Sequence, residues 1–130
     1  MACMSAALAA PMLPLLGDPL TAPYALRTLG EIGARQFADH LVARLAVVDT
    51  EVRAAAAGAL GLLGHAAATQ KLQALLADEQ EILDVRVQAA FALALLGDAG
   101  GTAFLQERKQ KGDYHGPMLE RLLERLPKAK

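Results

Sequence analysis

Three segments of equal length align without a gap, and this internal repeat restricts the chain to folds that stack like units side by side. They run from Ala22 to Leu45 (APYALRTLGEIGARQFADHLVARL), from Arg53 to Leu76 (RAAAAGALGLLGHAAATQKLQALL) and from Arg86 to Lys109 (RVQAAFALALLGDAGGTAFLQERK). Leu29, Leu60 and Leu93 fall in register, as do Ile32, Leu63 and Leu96, then Gly33, Gly64 and Gly97, then Leu41, Leu72 and Leu105. The spacing is 31 residues and then 33, and the two extra residues fall in the connector ADEQEILD. A period of this size marks units that cannot bury an apolar face alone and do so only against their neighbours.

Each unit reads as a helix, a glycine turn and a second helix. In the middle unit Val52, Ala55, Ala56, Ala59, Leu60 and Leu63 recur at helical spacing. Gly64 then falls where a helix closes in a left-handed residue, a conformation glycine adopts without a steric penalty. The following helix places Ala68, Leu72, Leu75 and Leu76 on one face. The chain is 54% apolar but only 4% aromatic, with no Trp. A core of Ala and Leu suits closely spaced helices better than a sheet. The fold class is therefore all-α.

Helix starts are marked as well. Asp49 or Thr50 can cap the helix that carries Val52 and Arg53. Asp78 and Glu81 have the spacing of a capping box. Pro19 or Pro23 suits the opening of the first helix. The whole chain, 1–130, reads as one domain: a leading half-unit helix at 5–16, units at 19–48, 49–78 and 79–111, and a capping helix at 117–126. The last of these carries Leu119, Leu122, Leu123 and Leu126 on one stripe and Glu120, Arg121, Glu124 and Arg125 on the other side, as a terminal cap does. The stretch 109–116 is expected to be a loop.

EVRAAAAGALGLLG, and more loosely DVRVQAAFALALLGD, resemble the signature of HEAT-like repeats of the phycobilisome-lyase type, over roughly Leu15 to Lys111. The resemblance implies an α-solenoid: about three helical hairpins stacked in a short right-handed superhelix, first helices on the convex wall and second helices on the concave one. It also implies that the Val-Arg pair is structural. Arg53 and Arg86 would bond an acidic group of a neighbouring unit, with Asp49, Glu51 or Asp84 as acceptors. Ala22 stands in place of the arginine in the leading unit, so that ladder should break there.

The formal charge is −1, from 13 basic and 14 acidic residues. This balance offers no surplus of the kind phosphate neutralisation draws on, so nucleic acid is not the expected partner. No apolar run reaches membrane-spanning length. Residues 1–26 carry one charge, Asp18, but no basic region precedes SAALAAPMLPLL, so a packed terminal helix is expected there and not a secretory signal. One cysteine, Cys3, excludes an internal disulfide and fits a cytoplasmic location; its uncharged surroundings leave the thiol inert. Usage of Ala, Leu, Arg and Gly points to a bacterial source.

Chemistry is sparse. His40, His65 and His115 lie in three separate settings without the paired spacing of a helix-borne metal site. No His-Glu dipeptide occurs, unlike the HEAT-like hydroxylases that hold two irons. Ser5 is the single serine and has no base beside it. Asp113-Tyr114-His115 is the one acid-aromatic-base run. Gly97, Gly100 and Gly101 lack the Lys-Ser/Thr of a phosphate loop and are expected at a turn. No catalytic residue, metal or cofactor is expected.

The expectation is thus a non-enzymatic scaffold that holds a protein partner on the concave face of the second helices. The residues in register there are Arg35, Gln36, Asp39, His40 and Arg44, then Gln70, Lys71 and Gln73, then Gln106, Glu107 and Arg108. A polar face of mixed sign suits a protein better than a greasy ligand. Self-association through the apolar N-terminal segment is a further expectation, and lyase-like activity is the enzymatic alternative that the family resemblance brings.

Overall fold

The structure, a computed structural model, describes residues 10–112, 114 and 116–126. Seven α-helices follow a leading 3-10 helix, Ala10–Gly17: α1 (Ala22–Glu31), α2 (Ala38–Ala43), α3 (Thr50–Leu63), α4 (Thr69–Ala77), α5 (Leu83–Leu95), α6 (Ala99–Lys111) and α7 (Gly116–Arg125). The described residues contain no strand. The hairpins α1–α2, α3–α4 and α5–α6 are the three repeat units. Gly33, Gly64 and Gly97, with φ of 73°, 70° and 95°, turn the chain between their helices.

The register read from the sequence is the register of the core. Leu29, Leu60 and Leu93 of the first helices, and Leu41, Leu72 and Leu105 of the second, are all fully buried. The first helices α1, α3 and α5 pack directly on one another as an inner layer. Each of α2 and α4 packs on the first helix of the next unit, so every unit is completed by its successor. A second cluster lies beyond α5, where Val87, Ala90, Phe91 and Leu105 meet Leu119 and Leu122 of α7. Thus α7 covers the apolar side that α5 and α6 leave open.

The units differ at their edges from the sequence expectation. The leading half-unit is a 3-10 helix from Ala10, with Pro14 inside it, and its expected start at 5–9 lies outside the described residues. Leu16 of this segment is buried against the core. The first α-helix begins at Ala22 with Pro23 in its opening turn, so Pro19 precedes it. The second helices of the first two units start with 3-10 turns, at Arg35–Phe37 and Ala66–Ala68. Helix α6 runs on to Lys111 and closes at Gly112 (φ 68°), beyond the expected loop boundary at 109. Gly100 and Gly101 lie within its first turn and not at the hairpin turn; the packed backbone of Ala90 and Ala94 leaves no room for a side chain at Gly101.

Candidate functional site

Small residues let the first helices come very close. A Cβ placed on Gly30 of α1 would sit 2.8 Å from the Cα of Ala59 on α3. One placed on Gly61 of α3 would overlap the Cα and Cβ of Ala92 on α5. Arg125 of α7 and Glu31 of α1 form a two-armed ion pair at 3.1 and 3.3 Å. The pair brings α7 back to α1 beside a hollow that α1, α3 and α5 line.

This hollow is a groove of about 490 Å³. Ala54, Ala55, Gly58 and Ala59 of α3 form its floor, and Pro23, Tyr24, Arg27 and Glu31 of α1 form one wall. Ile82, Asp84, Gln88 and Phe91 form the opposite wall, with Tyr114, Met118, Leu122 and Arg125 above them. Gln88 reaches over Gly58, where a methyl group would meet its Oε1 at 2.5 Å. Arg125 also lies over the Phe91 ring, 5.8 Å from its centre. At the mouth, the Tyr114 hydroxyl is hydrogen-bonded to Asp84 and lies 3.6 Å from the Met118 sulfur. Burial, followed by the Asp84 carboxylate, pushes the Tyr114 phenol well above its ordinary range, so it stays protonated.

Of the two expected arginine–acid rungs the structure forms one, and with a different acceptor. Arg53 donates to both oxygens of Glu81, at 2.6 and 2.9 Å, and to the carbonyls of Val47 and Val48 at 2.8 Å. Glu81 belongs to the next connector, so the pair joins the middle unit to the third. The Arg53 hydrogen bonds hold the Glu81 carboxyl below its usual value against the opposing effect of burial. Arg86 donates to the Leu76 carbonyl and covers one face of Phe104, 5.1 Å from the ring centre, with Arg108 at 5.1 Å from the same ring. Asp49, Glu51 and Asp84 accept neither guanidinium. Asp49 is instead the cap of α3 and accepts from Glu51 N and Val52 N; Asp84 takes the Tyr114 hydroxyl. The Asp78–Glu81 capping box is likewise replaced. Asp78 accepts from Gln80 N in a turn, Glu81 is engaged by Arg53, and α5 starts only at Leu83.

None of the expected partner-contact residues lines the groove. Arg35, Gln36, Asp39, His40, Gln70, Lys71, Gln73, Gln106 and Glu107 are exposed on the second-helix side, and Arg44 and Arg108 are half-buried. Several are committed locally. Arg44 donates to the Leu16 carbonyl, Gln73 to Asp98, and Glu107 pairs with Lys111. Hydrogen bonds from Gln73 and from Gly100 N hold Asp98 below the ordinary carboxylate range. His40 tilts against Phe37 at 5.9 Å, while His65 continues the turn through its backbone. Cys3, Ser5, Asp113 and His115 lie outside the described residues.

Tyr24, Arg27, Glu31, Gln88 and Arg125 are site residues that the repeat register did not single out. One signal was present: Arg27, Gly58 and Phe91 share a register position, and a glycine between two large side chains marks a hollow. Among the described residues no three His, Cys, Asp or Glu side chains gather as a metal cluster, and no helix is long and apolar enough to cross a membrane. Compared with known families, residues 9–94 match the sequence model described as HEAT repeats. No curated protein matches the chain.

Proposed function

Because the chain belongs to the HEAT-repeat family, we propose that it is a non-enzymatic interaction module holding a segment of a protein partner in the groove that its first helices line. The observation that supports this is the hollow of about 490 Å³ beside which Arg125 ties α7 to Glu31 of α1. A hollow walled by packed helices needs little ordering on binding. Its lining joins an alanine-glycine floor to a rim of Tyr24, Arg27, Glu51 and Asp84, the apolar centre and polar edge typical of a protein interface. The second-helix residues Arg35, Lys71 and their neighbours are the alternative contact surface. The lyase-like alternative rests on family resemblance: a pigment's carboxylates need free basic groups, and of the two arginines in the groove Arg125 is already bonded to Glu31.

Photo-crosslinking separates the two surfaces. A photoreactive residue at Arg27, in the groove wall, is expected to trap a partner from the source cell, and one at Lys71 is not. Adding Ala54→Trp, which fills the floor, should abolish the Arg27 adduct in a chain whose circular dichroism is unchanged. Adducts from Lys71 alone would move the site to the second helices.

A further inference from the structure

The groove opens onto an edge whose chemistry selects among partners. All three first helices begin there, and large apolar side chains stand out into solvent: Leu20 is 81% exposed, Val48 93%, Ile82 42% and Tyr24 68%. Exposed aliphatic groups scattered singly mean little, but a row along one edge beside a hollow marks a contact surface. Tyr24 and Ile82 flank the mouth from opposite walls.

The same edge is negative. Asp18, Asp49 and Asp78 lie in the turns that lead into it, each held in place by backbone N–H groups of its own turn. Glu51 and Asp84, in the first turns of α3 and α5, line the groove itself. They occupy equivalent positions on adjacent helices, and Tyr114 orients Asp84. The arginines nearby are engaged elsewhere: Arg53 by Glu81, Arg86 by the Leu76 carbonyl and Phe104, Arg44 by the Leu16 carbonyl. The lysines that end α6 have carboxylates of their own, Lys109 with Glu120 at 4.0 Å and Lys111 with Glu107 at 3.5 Å. Within the groove Arg125 is paired with Glu31, which leaves Glu51 and Asp84 against one further cation, Arg27, so a cationic group between the two carboxylates is favoured over an anionic one.

From this we infer that the groove takes a basic, apolar segment of a protein: one Lys or Arg side chain between Glu51 and Asp84, with a neighbouring aliphatic or aromatic side chain on the floor of Ala54, Ala55 and Gly58. The inference rests on the groove being the partner site, and the two fail differently. The test selects a phage-displayed library of random 12-residue peptides on the full chain, with Ala54→Trp as the counter-target, and measures the winners as labelled synthetic peptides by fluorescence anisotropy. Arg27→Trp, at an exposed wall position, replaces Ala54→Trp if that variant melts early.

Enriched peptides should carry Lys or Arg next to an aliphatic or aromatic residue. They should lose about tenfold or more in affinity on Glu51→Gln/Asp84→Asn, and weaken as salt is raised. Peptides that bind wild type and the filled groove alike would remove the groove reading altogether. Peptides that need the open groove but lack basic residues, or that ignore the Glu51→Gln/Asp84→Asn change, would leave the groove and overturn its preference for cations. A concentration-dependent dimer in sedimentation that Ala54→Trp dissolves would give the groove to a second copy of the chain and overturn the inference.

Discussion

At the scale of single residues, Arg53 shows what a repeat joint demands. Its guanidinium satisfies two carbonyls and both oxygens of Glu81, with 16% and 8% of the two side chains exposed. Removing one member leaves the other poorly solvated, so Arg53→Ala should cost about 2–3 kcal/mol in urea unfolding. The pair also makes stability depend on acid. The Glu81 carboxyl is lowered from 4.5 in the folded state, so its contribution is complete above that value and disappears as pH falls through the lower, folded one. Urea melts from about pH 7 to about pH 3 should show a steeper acid-side fall for wild type than for Glu81→Gln; parallel curves would place the acid sensitivity elsewhere. The sequence singled out Arg53 and Arg86 as joint residues. It did not identify Glu81, because the partner sits 28 positions away in the next connector, where intervals within a unit carry no information.

At the scale of helices, approach distance is the controlling quantity. Gly61→Ala would drive a methyl group into the Ala92 backbone and should destabilise by about 1–3 kcal/mol in chemical denaturation. Gly17→Ala, at a position with nothing within 4 Å, should stay within about 0.5 kcal/mol; equal effects at both sites would remove packing as the cause. The terminal helix is held in the same apolar way. Leu119 is fully buried against the outer cluster, so Leu119→Ala should cost about 2–5 kcal/mol and expose α7 to early proteolysis. Helix number, hairpin turns and buried leucines were legible because apolar period and glycine placement are local signals. Starts were less so. Asp49 caps α3 as its position suggests, whereas Asp78 and Glu81 carry the spacing of a box that the structure does not build, since Arg53 claims the glutamate. A tertiary partner outweighed a local motif.

At the scale of the whole molecule, the return of α7 to α1 carries the function proposed for this HEAT-repeat chain. The Glu31–Arg125 bridge joins residues 94 apart, yet both side chains are nearly half exposed, at 47% and 45%. An exposed pair is worth less than about 1 kcal/mol, so Arg125→Ala should barely move the unfolding midpoint. It should nevertheless broaden and lengthen the distance distribution between spin labels at Arg27 and Met118, which line the groove from α1 and α7; an unchanged distribution would show that packing alone holds α7 in place. This level was the least legible in the sequence. The register located Gly30, Gly58 and Gly61 as small residues, but where the terminal helix would settle against the layer is a property of the assembled stack. Contact between its first and last members leaves no local trace. One consequence concerns adaptability. The spacing of the groove walls on α3 and α5 depends on the crossing of Gly61 with Ala92, neither of which lines the groove. Exchanging a hydrogen for a methyl at such a crossing retunes what can enter while every lining side chain keeps its identity.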